Sequence, residues 1–180
     1  MDTITFRSRL EHLGGAVSAI LNGVSENEAR FRPAPDRWTL VEIVNHLGDE
    51  EAEDFRARLS SLTEDPARNW AEIDPFGWVT TRSYANRDFG PSVERWRKER
   101  EASLAWLASV GTIDAAVCYT GAPSGTPPLH AGDLMLSWIA HDYYHIRQIT
   151  NLRWEYLESA WPPWSPAYGG PRIEQTAGGD

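Results

Sequence analysis

The sequence predicts an all-α fold, a four-helix bundle with long connecting loops, on three observations. Four segments of about 20 residues space their apolar side chains at three- and four-residue steps, the period of a helix buried along one face. Almost nowhere do apolar and polar residues alternate as a half-buried strand requires. The periodic segments are separated by loops carrying Pro and Gly, and no repeat or second core divides the 180 residues.

The first helix is expected over residues 3–22, where Phe6, Leu10, Leu13, Val17, Ile20 and Leu21 form the stripe, ending near Asn22-Gly23. A proline-bearing loop, "RFRPAPDRW", leads to the second. Thr39 and Glu42 stand in capping-box register, so that helix starts at about Thr39 and turns Leu40, Ile43, Val44, Leu47, Phe55 and Leu59 inward. From 65 to 89 the pattern lapses into a long connection with prolines, a glycine and scattered aromatics, which reads as loop with short helical turns. The third helix runs from about Pro91, suited to a first turn, with Val93, Trp96, Leu104 and Leu107 inward, and closes at Gly111. Another loop follows, with a short extended piece expected at 115–119. The fourth helix spans roughly 131–158 on a stripe of Leu134, Met135, Trp138, Ile139, Ile146, Ile149 and Leu152. Residues 1–160 are therefore read as the bundle domain and 161–180 as a Trp/Pro-rich tail. In that tail Trp161, Trp164 and Tyr168 are expected to pack on the bundle or on a partner, and the last ten residues to fray.

Composition narrows the function. A net charge of -9 without a dense Lys/Arg block argues against nucleic acid or an anionic membrane as partner and favours a small molecule. Cys118 is the only cysteine, so no internal disulfide can form. The opening "MDTITFRSRLEHLGG" carries charges where a signal peptide needs an apolar run, and no stretch is apolar for the ~18 residues of a membrane span; a cytoplasmic location is expected.

The segment "WIAHDYYHIRQI" places His141 and His145 four residues apart within the apolar stripe of the last helix, one above the other on one side. His46 lies between Val44 and Leu47 at the edge of the second helix's stripe and can face the same interior, whereas His12 and His130 lack such company. A neutral imidazole offers one lone pair, and three converging lone pairs with no proton between them call for a cation. Three nitrogen ligands on Zn leave at least one open position, the arrangement of a catalytic site, and octahedral Ni, Fe, Co or Mn would leave three. Core histidines that hydrogen-bond to neighbours remain the other reading of the same residues.

The stretches "DRWTLVEIVNHL" and "LSWIAHDYYHIRQI" together resemble the DinB-like superfamily, also called the YfiT or damage-inducible family, over about residues 5–158. Trp38 and Thr39 match its Trp-Ser/Thr lead into a helix, His46 its first metal ligand, and His141 and His145 its later two. Gln148 matches the family's tail after the last ligand, while Arg147 is displaced by one position. The resemblance implies a four-helix bundle, often dimeric, holding a divalent metal, Zn or Ni first, with Fe, Co or Mn also suited. Characterised relatives include thiol-dependent enzymes such as mycothiol-dependent maleylpyruvate isomerase and bacillithiol transferases, and others are described as metal-dependent hydrolases.

Two function classes follow. One is a metal-dependent enzyme on a small molecule, a hydrolase or a transferase or isomerase using a low-molecular-weight thiol, since a metal stabilises either anionic nucleophile at neutral pH. The other is a non-catalytic metal-binding or stress-response bundle. No catalytic residue can be named. Glu50, one turn beyond His46, is a candidate base, but the run Asp49 to Asp54 reads first as a solvated face with Arg56 and Arg58 as partners. Asp142 and Tyr143 point round the helix from His141, toward packing or support roles. Trp70, Phe76 and Trp78 could wall a pocket or simply pack. Substrate selectivity is expected in the 65–89 and 118–130 loops, and a homodimer from Trp161 and Trp164.

Overall fold

A computed structural model of the chain describes residues 2–170, and the expected fraying of the last ten residues lies outside them. The described residues are helical, with no named strand. Helix α1, Thr3–Leu21, starts where Asp2 accepts a 2.8 Å hydrogen bond from the Thr5 amide, and it buries Phe6, Leu10, Leu13, Val17 and Leu21. A four-residue helix α2, Glu26–Ala29, is capped by Ser25. Helix α3, Leu40–Asp49, opens on the expected capping box, Thr39 and Glu42 each accepting from the other's backbone, and is buried along its whole length.

The second predicted helix is not uniform. After Asp49 it passes through a π-helical turn, Glu50–Phe55, and resumes as α4, Arg56–Glu64. A π turn carries one residue more than an α turn, so the stripe keeps Phe55 and Leu59 in the core while the acids before them take new directions.

The 65–89 connection contains α5, Pro75–Thr81, with Pro75 in its first turn and Asp74 accepting from the Gly77 amide at 2.9 Å. Only glycine suits that cap, because a Cβ at position 77 would come within 1.9 Å of Asp74 Oδ2. A 3₁₀ turn, Tyr84–Asn86, follows. Helix α6, Phe89–Ser109, begins two residues earlier than expected because Pro91 occupies its first turn rather than its first position. The extended piece expected at 115–119 reduces to an isolated bridge between Cys118 and His130. Helix α7, Ala131–Ala160, is capped by His130 and Asp133.

Helix α1 packs on α6 and α7, α3 on α6 and α7, and α4 on α7, which closes the four-membered bundle. Its apolar core is in two parts. One gathers Phe6, Leu10, Phe55, Leu59, Leu107 and Trp138; the other gathers Val17, Val44, Leu47, Trp96, Ile149 and Leu152. Along α7 the two histidines, and along α6 Arg100, fall between residues of the first part and residues of the second. A polar layer therefore crosses the bundle between two apolar ones.

Candidate metal centre

His46 reaches this layer from α3, and His141 and His145 from successive turns of α7. Their Nε2 atoms meet: His46 to His141 is 3.2 Å and His145 to His141 is 3.0 Å. All three donor atoms lie within 4.8 Å of one another, and among the described residues they form the single such group of His, Cys, Asp or Glu. Two nitrogens at Zn–N distances of about 2.0 to 2.1 Å from one ion stand about 2.8 to 3.4 Å apart between octahedral and tetrahedral angles. The two spacings to His141 fall in that range and the third pair lies within 4.8 Å, so the donor set fits a divalent ion.

Electrostatics points the same way. Burial takes His46 down to about 4, the Pro75 backbone and Asp49 acting against the fall. It takes His145 down to about 3, helped by His46, and His141 well below the ordinary value, helped by His145, His46 and Arg100. At neutral pH the three rings are therefore neutral, with lone pairs to give. Gln148 Oε1 accepts from His145 Nδ1 at 2.7 Å, which turns the Nε2 lone pair of His145 toward the other two rings.

Aromatic rings surround the triad. Trp38 stands 4.9 Å from His46, Phe55 5.2 Å from His141, and Tyr144 meets His145 edge-on at 5.0 Å. The triad opens on a pocket of about 480 Å³ walled by Trp38, Phe76 and Tyr144, with Asp36, Arg37, Glu50 and Asp54 as its charged lining. Of the two loops expected to select a substrate, the 65–89 connection reaches this pocket through Pro75 and Phe76. The 118–130 loop does not line it, and residues 36–38 do. Trp70 instead stacks on Tyr119 at 3.8 Å, and Trp78 lies under the Arg82 guanidinium.

The acidic run departs from its sequence reading. Asp49, Glu50 and Glu51 are buried, not solvated. Asp49 accepts from Tyr84, Arg82 and Arg95. These donors hold its carboxyl below the ordinary value against the opposing effect of burial. Glu51 and Asp142 share Arg100, whose Nη atoms lie 2.8 Å from Glu51 and 2.7 and 2.9 Å from Asp142, and Trp138 Nε1 also donates to Glu51. Gly14 makes the room: a Cβ there would sit 3.1 Å from Arg100 Cγ. Only part of the expected surface pairing holds. Arg58 pairs with Asp54 four residues back, while Arg56 turns to Glu99. Burial first, and Asp54 second, pushes Glu50 up to about 8.

The remaining candidates stand apart. His12 contacts the Ser8 carbonyl, His130 caps α7, and Cys118 is half-buried in its loop. Trp161, Trp164 and Tyr168, expected to pack on the bundle or on a partner, are exposed on the single chain, where Trp161 meets Tyr156 edge-on at 6.1 Å.

An α-helical bundle with three imidazoles converging in its polar layer matches a known class. Residues 9–149 match the DinB superfamily, and the chain belongs to it. Among solved structures the chain is similar to YfiT from Bacillus subtilis, described as "a probable metal-dependent hydrolase with an unusual four-helix bundle topology". The two share 14% identity and a TM-score of 0.71 over 88% of each chain, a likeness of fold. No curated protein matches the chain. No helix among the described residues is long and apolar enough to cross a membrane.

Proposed function

We propose that this protein is a metal-dependent enzyme, a hydrolase acting on a small molecule, with His46, His141 and His145 holding one divalent ion, Zn or Ni first. The observation that carries the reading is the meeting of three Nε2 atoms at 3.0 and 3.2 Å on the wall of an open pocket. When bound, the ion supplies Lewis acidity and stabilises an anionic nucleophile at neutral pH. The chain's own residues do the rest. Gln148 orients His145, Trp38, Phe76 and Tyr144 give the pocket aromatic walls, and the pocket volume is that of a site for a small molecule.

A low-molecular-weight thiol as the nucleophile is the second reading, supported by Arg37 on the pocket lining, whose guanidinium stands 3.6 Å from Glu155 and keeps further donors for the carboxylate such thiols carry. The same reading takes the working form to be a homodimer, supported by the exposed Leu136, Tyr143, Trp161 and Trp164. A monomeric mass by light scattering at micromolar concentration overturns that part.

The test of the whole is elemental analysis of protein purified without a nickel column, followed by a screen of esters, amides and lactones with and without small thiols. One equivalent of a divalent metal is expected, with a turnover that disappears in His141→Ala. Metal-free protein that takes up no added Zn or Ni overturns the reading.

A further inference from the structure

Glu50 is left with bonding capacity to spare beside the three imidazoles. It is buried, it lines the pocket, and its Oε1 has no hydrogen-bond donor. Asp49 is taken by Tyr84, Arg82 and Arg95, and Glu51, whose Oε1 is also without a donor, is held through Oε2 by Arg100 and Trp138 away from the pocket lining, so Glu50 is the one of the three with a free oxygen on the pocket. Asp54, the nearest acid, is itself 2.8 Å from Arg58. Two carboxylates are both acceptors, so Asp54 can satisfy Glu50 only through a shared proton, and either way one oxygen of Glu50 stays free to accept. A buried acceptor without a donor costs free energy, and a fold retains such a group where a ligand brings the donor. The residue also opens the π-helical turn, Glu50–Phe55, a departure from the α ladder that recurs at functional sites.

Its distance defines the role. Glu50 Oε2 lies 3.9 Å from His141 Nε2, yet Glu50 is absent from the group of atoms lying within 4.8 Å of one another. Ligands of one ion at about 2.1 Å stand at most about 4.2 Å apart, so a group left outside the 4.8 Å set is not a fourth ligand to an ion on the triad but borders its open side.

We propose that Glu50 is the hydrogen-bond acceptor for the protic group of the small ligand that fills the open side of the His46, His141 and His145 triad. The pocket then prefers ligands carrying an O–H, N–H or S–H on or beside the atom that faces the metal. The inference rests on the metal reading above.

The experiment compares two ligands on Co(II)-loaded protein, following the visible absorption of the ion. Acetohydroxamic acid presents a proton donor next to its ligating oxygen, and azide presents none. Glu50→Met removes the acceptor and is expected to lower the ratio of acetohydroxamate to azide affinity by about tenfold, the loss of one hydrogen bond. Glu50→Gln keeps a weaker acceptor and is expected to fall between, which gives the test a second variant that preserves shape. Co(II) affinity itself should stay within about twofold of wild type, as expected of a group outside the ligand set. A ratio unchanged in both variants overturns the proposal, as does a collapse of Co(II) affinity in Glu50→Gln, which would make Glu50 a ligand. Wild-type protein that takes up no Co(II) overturns this proposal together with the metal reading, whereas an unchanged ratio on a metal-loaded protein leaves that reading standing.

Discussion

At the scale of single residues the site is governed by what burial does to charge. His46 and His145 are held neutral down to about 4 and about 3 in the fold, while the unfolded chain protonates its imidazoles near the ordinary 6.5. Folded values below unfolded ones mean that the unfolded state binds protons first as pH falls. The stability these residues contribute is complete above about 6.5 and is lost progressively toward pH 3 to 4. Glu50, whose folded carboxyl takes up its proton at about 8, acts in the opposite sense over this window, so the histidine effect is read by comparison: in urea titrations of metal-free protein from pH 7.5 to 4.5 the midpoint of wild type should fall relative to that of His46→Gln. A slope identical in that variant would show that His46 does not titrate in this way. Arg100 shows the converse problem. Replacing it by Ala leaves Glu51 and Asp142 buried without their cation and should cost about 3 to 5 kcal/mol, measured as a lower midpoint at an unchanged slope.

At the scale of elements, short caps carry the geometry of the pocket. Helix α3 begins at Thr39, and its start determines which way His46 points. Thr39→Ala removes one half of the capping box and should destabilise the protein by about 1 to 2 kcal/mol. Helix α5 sets the position of Phe76 through the Asp74 to Gly77 bond. Gly77→Ala drives a methyl into Asp74 Oδ2, breaks that bond, and should cost about 1 kcal/mol while loosening the pocket wall. Weaker ligand binding with a fall in Tm of about 2 to 4 °C is the expected pattern, and unaltered binding would show that Phe76 does not depend on the cap.

For the molecule as a whole, a metal that binds only the folded state stabilises it by mass action, about 2.7 kcal/mol at a hundredfold excess over Kd. In a domain of this length that is a rise in Tm of about 5 to 10 °C. Chelation should remove it. His145→Ala should abolish the metal-dependent rise and still leave a folded bundle, because the two apolar layers do not depend on the ion, and His12→Ala should retain the rise. A melting curve indifferent to both chelator and added Zn would leave the three histidines as ordinary neighbours in a polar layer.

What the sequence determined by itself is the part of the structure whose cause is local. The four long helices, the capping box at Thr39 and the shared face of His141 and His145 each depend on residues within a turn or two, and the 3.6-residue period expresses them directly. The convergence of His46 on that pair could be inferred because its helix had an apolar stripe to orient it. Tertiary structure alone decided the acidic run. The π turn changes the phase of the helix after Asp49, and the partners of Asp49 and Glu51 come from Arg82, Arg95 and Arg100, between 33 and 49 positions further along the chain. Periodicity assigns a charged residue to solvent by default, since an unpaired charge cannot be buried. Only the packing of α6 and the 65–89 connection against α3 reveals that these charges are paired and that Glu50, left without a donor, faces the pocket.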